Sequence, residues 1–188
     1  LGRLLVTNTL GDTDGDGEFE ELYSIGGRSF SIWDLEGNLV WDSGDQFEQI
    51  LADLKPLHFN SDNDENGSTD SRSDAKGPEP EAVEVAEIDG SVYAFIGLER
   101  MGGIMIYDVS DPLSPVFVGY KTSRDFSVTD VEADPAAARE MGPEDITFVP
   151  AADSPNGAPL ILVSSEVSGS ITVYEIKPRN TYKLTVLH

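Results

Sequence analysis

The stretch GPEPEAVEVAEIDGSVYAFIGLERMGGIMIYDV at residues 77–109 returns in altered form further along the chain. Its second copy is GPEDITFVPAADSPNGAPLILVSSEVSGSITVYEI at residues 142–176. Both copies open with Pro-Glu, carry a glutamate after the second apolar run, and close on an aromatic residue followed by an acid. The aligned positions are Pro80-Glu81 with Pro143-Glu144, Glu99 with Glu166, and Tyr107-Asp108 with Tyr174-Glu175. Repetition of β-prone runs at such a spacing indicates a repeat architecture.

Each copy predicts three short strands, because Gly, Pro, Asn, Asp and Ser residues separate its β-branched and aromatic runs. The segment PVFVGYK at 115–121 adds a fourth, outer strand after the first copy. Four antiparallel strands per repeat, stacked radially, make a β-propeller. A β-sandwich is the alternative for an all-β chain, and the repetition favours the propeller.

An earlier unit has the same close as the two copies. In LYSIGGRSFSIWDLEGNLV at 22–40, Trp33-Asp34 corresponds to Tyr107-Asp108. Residues 1–178 therefore predict about three blades, whereas closed propellers typically have about 4–8. We expect the C-terminal blades of a larger propeller, whose remaining blades and neighbouring domains would be its partners.

Two helical patches interrupt the strands. DQFEQILADL at 45–54 predicts an amphipathic helix with Asp45 as its N-cap. DPAAARE at 134–140 predicts a short helix with proline in the first turn. The preceding segment YSIGGRSFSIWD at 23–34 is predicted as strand.

The charge of the chain excludes several partners. Among 188 residues there are 35 acids and 12 Lys and Arg residues, a formal net charge of -23. Such a field repels phosphate backbones and anionic membrane surfaces, so we expect no nucleic-acid binding. The chain has no cysteine, which excludes thiolate metal sites and cysteine nucleophiles. No apolar run approaches the ~18 residues that span a bilayer, so no membrane insertion is expected.

The loop DTDGDGEFE, which begins at residue 12, is the first candidate metal site. Its alternate acids are typical of a loop that wraps Ca²⁺, which takes about 6–8 oxygen ligands. The candidate ligands are Asp12, Asp14, Asp16, Glu18 through its carbonyl, and Glu20. Position 12 of this loop is Tyr23 rather than the glutamate of an EF-hand, and its flanks are strands. The alternative is a plain solvated Asp-Gly turn.

A second, weaker candidate lies in the very polar segment 60–76, an inserted acidic loop. DNDENGSTD repeats the spacing with Asp62, Asp64, Asn66 and Asp70. In so polar a segment the spacing arises easily by chance, so a flexible acidic loop is the preferred interpretation. Calcium is the cofactor expected for either loop, since neither offers the softer ligands of zinc or redox metals.

Catalytic candidates are few. The two histidines, His58 and His188, lie in no nucleophile or metal motif. Glu81 and Glu144 would open inner strands at the channel mouth, where paired carboxylates can act as acid and base. Their repetition favours hydrogen bonding between blades instead. Arg124 would clamp neighbouring Asp or Glu side chains, or alternatively receive an anion.

Four segments resemble the choice-of-anchor I family of exported proteins. They are LVTNTLGDTDGDGEFEELYSIGGRSFSIWD, SRSDAKGPEPEAVEV, YAFIGLERMGGIMIYDVSDP and PAADSPNGAPLILVSSEVSGSITVYEI. Members of that family are frequently named alkaline phosphatases and carry propeller-like repeats. The resemblance implies an extracellular, cell-surface or periplasmic location.

The end of the chain carries a separate resemblance. YKLTVLH at 182–188 is similar to the opening strand of 5′-nucleotidase-type metallophosphoesterases. Residues 179–188 are therefore interpreted as a linker and the first strand of a following domain. A bare terminal strand is the alternative.

These observations lead to one main functional hypothesis and one rival. The main hypothesis is a calcium-stabilised, non-catalytic propeller segment of a secreted or surface protein. The rival is a calcium-dependent phosphoesterase in which Glu81, Glu144 and Arg124 handle a phosphate ester at the channel mouth. A third function, adhesion to a cell-surface ligand, has no distinctive motif.

Overall fold

Two four-stranded antiparallel sheets form the centre of the computed structural model, which describes residues 3–177 and the strand at 183–186. Two short strands precede them as a hairpin: β1 (Ser31–Trp33) and β2 (Leu39–Asp42). Sheet A consists of β3 (Pro80–Ile88), β4 (Ser91–Leu98), β5 (Ile104–Asp108) and β6 (Val116–Lys121). Sheet B consists of β7 (Pro143–Val149), β8 (Leu160–Ser165), β9 (Ser170–Lys177) and β10 (Lys183–Val186).

The two sheets share one register, as the repeat predicts. In sheet A, Pro80 pairs with Leu98, and the register shifts before the next pair. In sheet B, Pro143 pairs with Ser165, and the shift falls at the same place. Proline has no N–H to donate to a ladder, so each strand begins at its proline. The all-β class with antiparallel sheets is confirmed; the propeller stays a prediction.

Sheets A and B pack face to face, with their first strands β3 and β7 in contact. Ile146 and Tyr174 of sheet B are buried in the core between the sheets. Gly97 lets the sheets approach, since a Cβ there would lie 3.1 Å from Ala82 and 3.3 Å from Pro143. Across the same interface, Glu84 Oε1 accepts a hydrogen bond from the backbone N–H of Phe148 at 3.0 Å.

The opposite face of sheet A carries an aromatic cluster. The buried ring of Tyr107 lies 4.9 Å from Phe30, 6.3 Å from Trp41, 6.0 Å from Phe47 and 5.5 Å from Phe117, between ring centroids. Aromatic pairs at these tilted geometries stabilise by about 0.5–1.5 kcal/mol beyond burial. The β1–β2 hairpin and the first helix are thereby fixed to sheet A.

The third aromatic of the repeat has a different environment. Tyr107 and Tyr174 are fully buried, whereas Trp33 is 59% exposed. On β3, Val83 and Val85 pair with Ile96 and Ala94, which belong to the same aromatic-side core. Both valines nevertheless remain largely exposed, at 61% and 57%. Hairpin β1–β2 therefore covers only part of this face of sheet A.

Both predicted helices are present, with one correction. Helix α1 (Gln46–Leu54) buries Phe47 and Leu51, but the side chain of Asp45 makes no capping hydrogen bond. Helix α2 (Pro135–Ala138) is capped by Asp134, which accepts from the N–H of Ala137 at 3.1 Å. A 3₁₀ turn at Pro56–His58 follows α1.

The segment predicted as one strand at 23–34 is shorter in the structure. Only Ser31–Trp33 forms a strand, and Ser24 makes an isolated antiparallel bridge with Val6. Gly26 has a φ of 81°, a left-handed value that breaks an extended run. The intervening glycines thus separate the bridge from β1.

The chain end pairs with sheet B, where β10 lies beside β9 as β6 lies beside β5. Residues 178–182 and 187–188, including His188, lie outside the described residues. The prediction that 179–188 opens a following domain therefore stays a prediction. Within the described ranges, no helix is both long and apolar enough to cross a membrane.

Candidate metal centre

The first acidic loop closes a hairpin. The N–H groups of Glu20 and Glu21 donate to the carbonyl oxygen of Gly11 at 3.0 and 3.2 Å, which brings the two limbs together. Gly15 and Gly17 have φ values of 81° and 91°, a region that glycine enters without steric cost. The alternation of Asp and Gly therefore folds the acidic side chains around a tight turn.

Three of the five predicted ligands meet in this loop. Carboxylate oxygens of Asp12, Asp14 and Glu20 all lie within 4.8 Å of one another. Asp12 also accepts from the N–H groups of Gly15 at 2.6 Å and Gly17 at 3.0 Å. Carboxylate oxygens in such a set are the hard donors that calcium prefers. The residues present therefore fit calcium better than zinc or a redox metal.

Glu20 is held in its charged form by Thr13. Its Oε2 accepts from the Thr13 N–H at 2.9 Å and from the Thr13 hydroxyl at 3.0 Å. These hydrogen bonds lower the pKa of Glu20. The loop thus keeps an ionised carboxylate opposite two aspartates.

The remaining two predicted ligands are not part of the cluster. The side chain of Asp16 accepts from the N–H of Glu18 at 2.8 Å, which fixes the turn. The side chain of Glu18 is exposed. Its backbone carbonyl stays a predicted ligand. Both residues lie in the loop without joining the three gathered carboxylates.

Three of the four side chains of the second candidate loop bind separate partners. Asp62 lies 3.5 Å from Arg72 and 3.4 Å from Arg100. Asn66 donates to the carbonyls of Asp125 and Val128 at 2.9 and 2.8 Å. Asp70 accepts from the hydroxyl of Ser73, and Asp64 belongs to no acidic cluster among the described residues. The structure therefore does not bring this predicted ligand set together.

The inserted loop 60–76 is packed, which corrects the expectation of a flexible segment. Asn60 and Ser61 are fully buried, and Asn63 is 3% exposed. Asn63 donates to Glu99 Oε1 at 2.8 Å, across to the end of β4. Polar side chains that bond to the protein order this loop without an apolar core of its own.

Arg124 is the main anchor of that loop, and its role differs from the prediction. Its guanidinium donates to the carbonyls of Asp62 at 2.7 Å, Glu65 at 2.9 Å and Arg100 at 3.0 Å, and to the side chain of Asn66. It also lies 4.6 Å from the centre of the Phe126 ring. Burial lowers the pKa of Arg124 to about 10. Its partners are thus mainly carbonyls rather than carboxylates, and few donors remain for an anion.

The structure contains a second acidic cluster, of which sequence reasoning identified Glu81 and Glu99 but not Glu79. Carboxylate oxygens of Glu79, Glu81 and Glu99 lie within 4.8 Å of one another, and Glu79 is 6% exposed. Arg100 donates to Glu79 at 2.6 Å, and Lys76 pairs with the other oxygen. Burial raises the pKa of Glu79, but these cations outweigh it and the net shift is downward. In the sequence, the one signal that could have marked Glu79 as a site residue is its position next to Pro80 at the start of the repeat.

The acids at the ends of the inner strands affect one another. Burial, a hydrogen bond with Glu81 and the charge of Glu79 raise the pKa of Glu99 to about 8. Burial and the charges of Glu81 and Glu166 raise the pKa of Glu144. Glu81 and Glu144 therefore lie in one negative field, while their place at a channel mouth stays a prediction. Such a field disfavours an anionic substrate.

Glu140 is a fully buried acid that sequence reasoning missed. Its Oε2 accepts from the hydroxyl of Tyr174 at 2.5 Å, while Oε1 is buried without a hydrogen-bond partner. Burial raises its pKa to about 7. The ring of His58 stacks on that of Phe126, 4.1 Å apart between centroids, and its Nδ1 is buried with no hydrogen-bond partner in the described part of the chain.

Comparison with known proteins identifies the family. The model of the choice-of-anchor I domain matches residues 1–112. The chain belongs to the choice-of-anchor I domain family. This confirms the family resemblance; the names given to family members do not establish a phosphatase activity for this chain. Domains of the choice-of-anchor I family occur in exported proteins.

Two relatives extend the comparison. The choice-of-anchor I chain is 33% identical to Gigasin-3a of Magallana gigas over 187 residues, covering 94% of this chain and 65% of that protein. It is 29% identical to the mesenchyme-specific cell surface glycoprotein of Strongylocentrotus purpuratus over 124 residues, which are 58% of this chain and 16% of that protein. The chain thus spans less than two thirds of either relative. No solved structure shows a significant match.

Proposed function

We propose that this chain is a calcium-stabilised, non-catalytic β-propeller segment of an exported or surface protein. The observation that carries the proposal is the meeting of Asp12, Asp14 and Glu20 carboxylates within 4.8 Å at the tip of one hairpin. A cation there would offset the mutual repulsion of three acids and fix the hairpin. It would stabilise by binding the folded chain and would take part in no reaction.

The packing of the two sheets supports the propeller. Sheets A and B repeat one strand order and one register, and they meet through their first strands β3 and β7. First strands nearest the axis are what radial stacking of blades requires. The partners of this segment would be further sheets of the same type and the neighbouring domains of the protein.

The state of Arg124 supports a non-catalytic role. The rival phosphoesterase requires Arg124 to receive the phosphate, yet its donors are engaged by carbonyls in a buried site. Glu81 and Glu144 lie in a negative field that repels the same substrate. We expect no turnover of a chromogenic phosphate monoester with or without calcium. Turnover that disappears in Glu81→Gln would establish the rival instead.

The relatives support a surface setting. One is by name a cell surface glycoprotein, although this chain spans only 16% of it. We therefore propose an extracellular, cell-surface or periplasmic location and a cell-surface ligand as a further partner. Localisation of a tagged full-length protein tests this part of the proposal.

Calorimetric titration with calcium tests the metal site. The wild-type chain should bind one calcium ion, and Asp12→Asn/Asp14→Asn should abolish that binding. Glu132→Gln/Asp153→Asn is the matched control, since it removes two exposed acids elsewhere and changes the net charge equally. Equal binding by all three proteins would show that calcium responds to net charge and would contradict the assigned site.

A further inference from the structure

The isolated bridge between Val6 and Ser24 occupies a defined place in the repeat. Pro80 and Leu98 form the first pair of the inner hairpin of sheet A, and each lies 74 residues after its counterpart in the bridge. The same separation relates Trp33 to Tyr107. Residues 6–24 are therefore the inner hairpin of the first sheet, and the acidic loop is its turn.

This inner hairpin differs from its two counterparts in what it pairs with. In sheet A, β4 pairs with β5, and in sheet B, β8 pairs with β9. In the described part of the chain, β1, the counterpart of β5, pairs with β2 alone. The limbs of hairpin 6–24 meanwhile expose a set of large apolar side chains. Those on the side that corresponds to the sheet B-facing side of sheet A are Leu10 at 57%, Phe19 at 42% and Tyr23 at 44%.

A matching apolar surface lies on sheet A. Ile146 of sheet B is buried against sheet A. Val83 lies three residues after Pro80, as Ile146 lies three residues after Pro143, so the two positions correspond. Val83, however, is 61% exposed. Val85, the counterpart of Phe148, is 57% exposed. Hairpin 6–24 and sheet A therefore each carry exposed apolar side chains. The repeat predicts that these two groups of side chains pack against each other.

We infer that hairpin 6–24 seats on the free edge of β1 and over Val83 and Val85 when calcium binds at its tip. This inference rests on the proposed calcium site and names what the ion controls. Because Glu84 contacts Phe148 and Gly97 contacts Ile146 between sheets A and B, Leu10 meets Val85 and Tyr23 meets Val83 in the seated form. The first sheet then has four strands, like the other two.

The position of the acids explains why a cation drives this step. Asp12 and Asp14 lie on one side of the turn, and Glu20 lies on the other. Their carboxylate oxygens lie within 4.8 Å of one another, so their like charges destabilise the closed turn. A divalent ion offsets this repulsion and stabilises the turn, so the ladder that starts at Val6–Ser24 extends towards it. Limbs paired along their whole length present a continuous strand edge and one apolar face, which limbs joined only at the bridge and the turn do not.

Disulfide cross-linking tests the inference, because the chain has no cysteine of its own. The double variant Leu10→Cys/Val85→Cys should cross-link under a mild oxidant about tenfold faster in calcium than in EGTA. Leu10→Cys/Val116→Cys is the matched control, as Val116 is 60% exposed on the outer strand β6. Its cross-linking rate should be slow and independent of calcium.

Hydrogen exchange of the wild-type chain gives a second readout that needs no substitution. Calcium should slow exchange at residues 20–24 and 31–33 and leave residues 160–165 unchanged. If calorimetry shows calcium binding but neither cross-linking nor exchange responds, the seating is wrong and the proposed calcium site stands. If no calcium binds, both the proposed calcium site and the calcium-driven seating of the hairpin are wrong. Fast cross-linking in EGTA would show that the hairpin seats without the ion and would overturn the coupling.

Discussion

Glu84 on β3 and Phe148 on β7 join the first strands of the two four-stranded sheets. The carboxylate of Glu84 accepts the backbone N–H of Phe148 at 3.0 Å, in the interface where Ala82 and Ile146 pack. A polar side chain thereby satisfies a strand N–H between two apolar faces. This contact fixes how far one sheet slides along the other.

Loss of this acceptor should weaken the sheet interface. Glu84→Ala leaves the N–H of Phe148 without a partner, which should lower the free energy of unfolding by about 1–3 kcal/mol. Glu84→Gln keeps an acceptor and should cost less. Glu87→Ala, an exposed acid on the same strand, serves as control and should change stability by less than about 0.5 kcal/mol. Urea unfolding measures all three, and equal losses would contradict the assigned role.

Arg124 should be needed for an ordered 60–76 loop. Arg124→Ala removes donors from the carbonyls of Asp62 and Glu65 and leaves a cavity at a buried position, so we expect a loss of about 2–4 kcal/mol and faster proteolysis within the loop. Arg124→Lys should also destabilise, since an ammonium lacks the planar fork.

The control for Arg124 is Arg3→Ala. Arg3 pairs with Asp74 at 3.0 Å, but 77% of its side chain is exposed, so its loss should cost less than about 1 kcal/mol. Limited proteolysis with mass spectrometry locates the cuts. A loop that resists protease equally in Arg124→Ala and Arg3→Ala would show that Arg124 does not anchor it.

Glu140 should make the chain less stable as pH rises. Burial raises its folded-state pKa to about 7, above the ordinary glutamate value, so the folded chain binds the proton more tightly than the unfolded chain. Its stabilising contribution is present at acidic pH and is lost as pH rises through about 7. The loss approaches about 3 kcal/mol between pH 4.5 and 8.

Glu140→Gln separates this group from the other acids. The variant keeps a side chain of similar size that cannot ionise, so its stability should fall less between pH 5 and 8 than that of the wild-type chain. Glu99, whose pKa is also raised, titrates in both proteins and cancels in the difference. Parallel stability curves for the two proteins would contradict a raised pKa at Glu140.

Local patterns predicted the parts of the fold that depend on neighbouring residues. The aromatic-acid close placed Tyr107 and Tyr174 at equivalent buried positions, and Asp134 caps the short helix that its spacing indicates. The acidic loop was predicted because the residues that form its turn are adjacent in sequence. The repeat also indicated Trp33, but its exposure depends on what packs above it.

Contacts between distant segments could not be predicted. Arg124 meets Asp62 and Glu65 across 62 and 59 residues, so the polar composition of the loop alone suggested flexibility. The sequence does not indicate that Glu140 is buried, because it is a charged residue that directly follows the charged Arg139. In the structure Arg139 is exposed and Glu140 is buried. The second acidic loop had the ligand spacing, but Arg72, Arg100 and Arg124 bind its polar groups.

Thermal unfolding in calcium and in EGTA is the most direct test of the central claim that an ion at Asp12, Asp14 and Glu20 stabilises this chain. Calcium at about one hundred times its dissociation constant should raise Tm by about 5–10 °C in the wild-type chain and in Glu132→Gln/Asp153→Asn. Asp12→Asn/Asp14→Asn should show no such rise. Equal melting temperatures of the wild-type chain in calcium and in EGTA would contradict the claim.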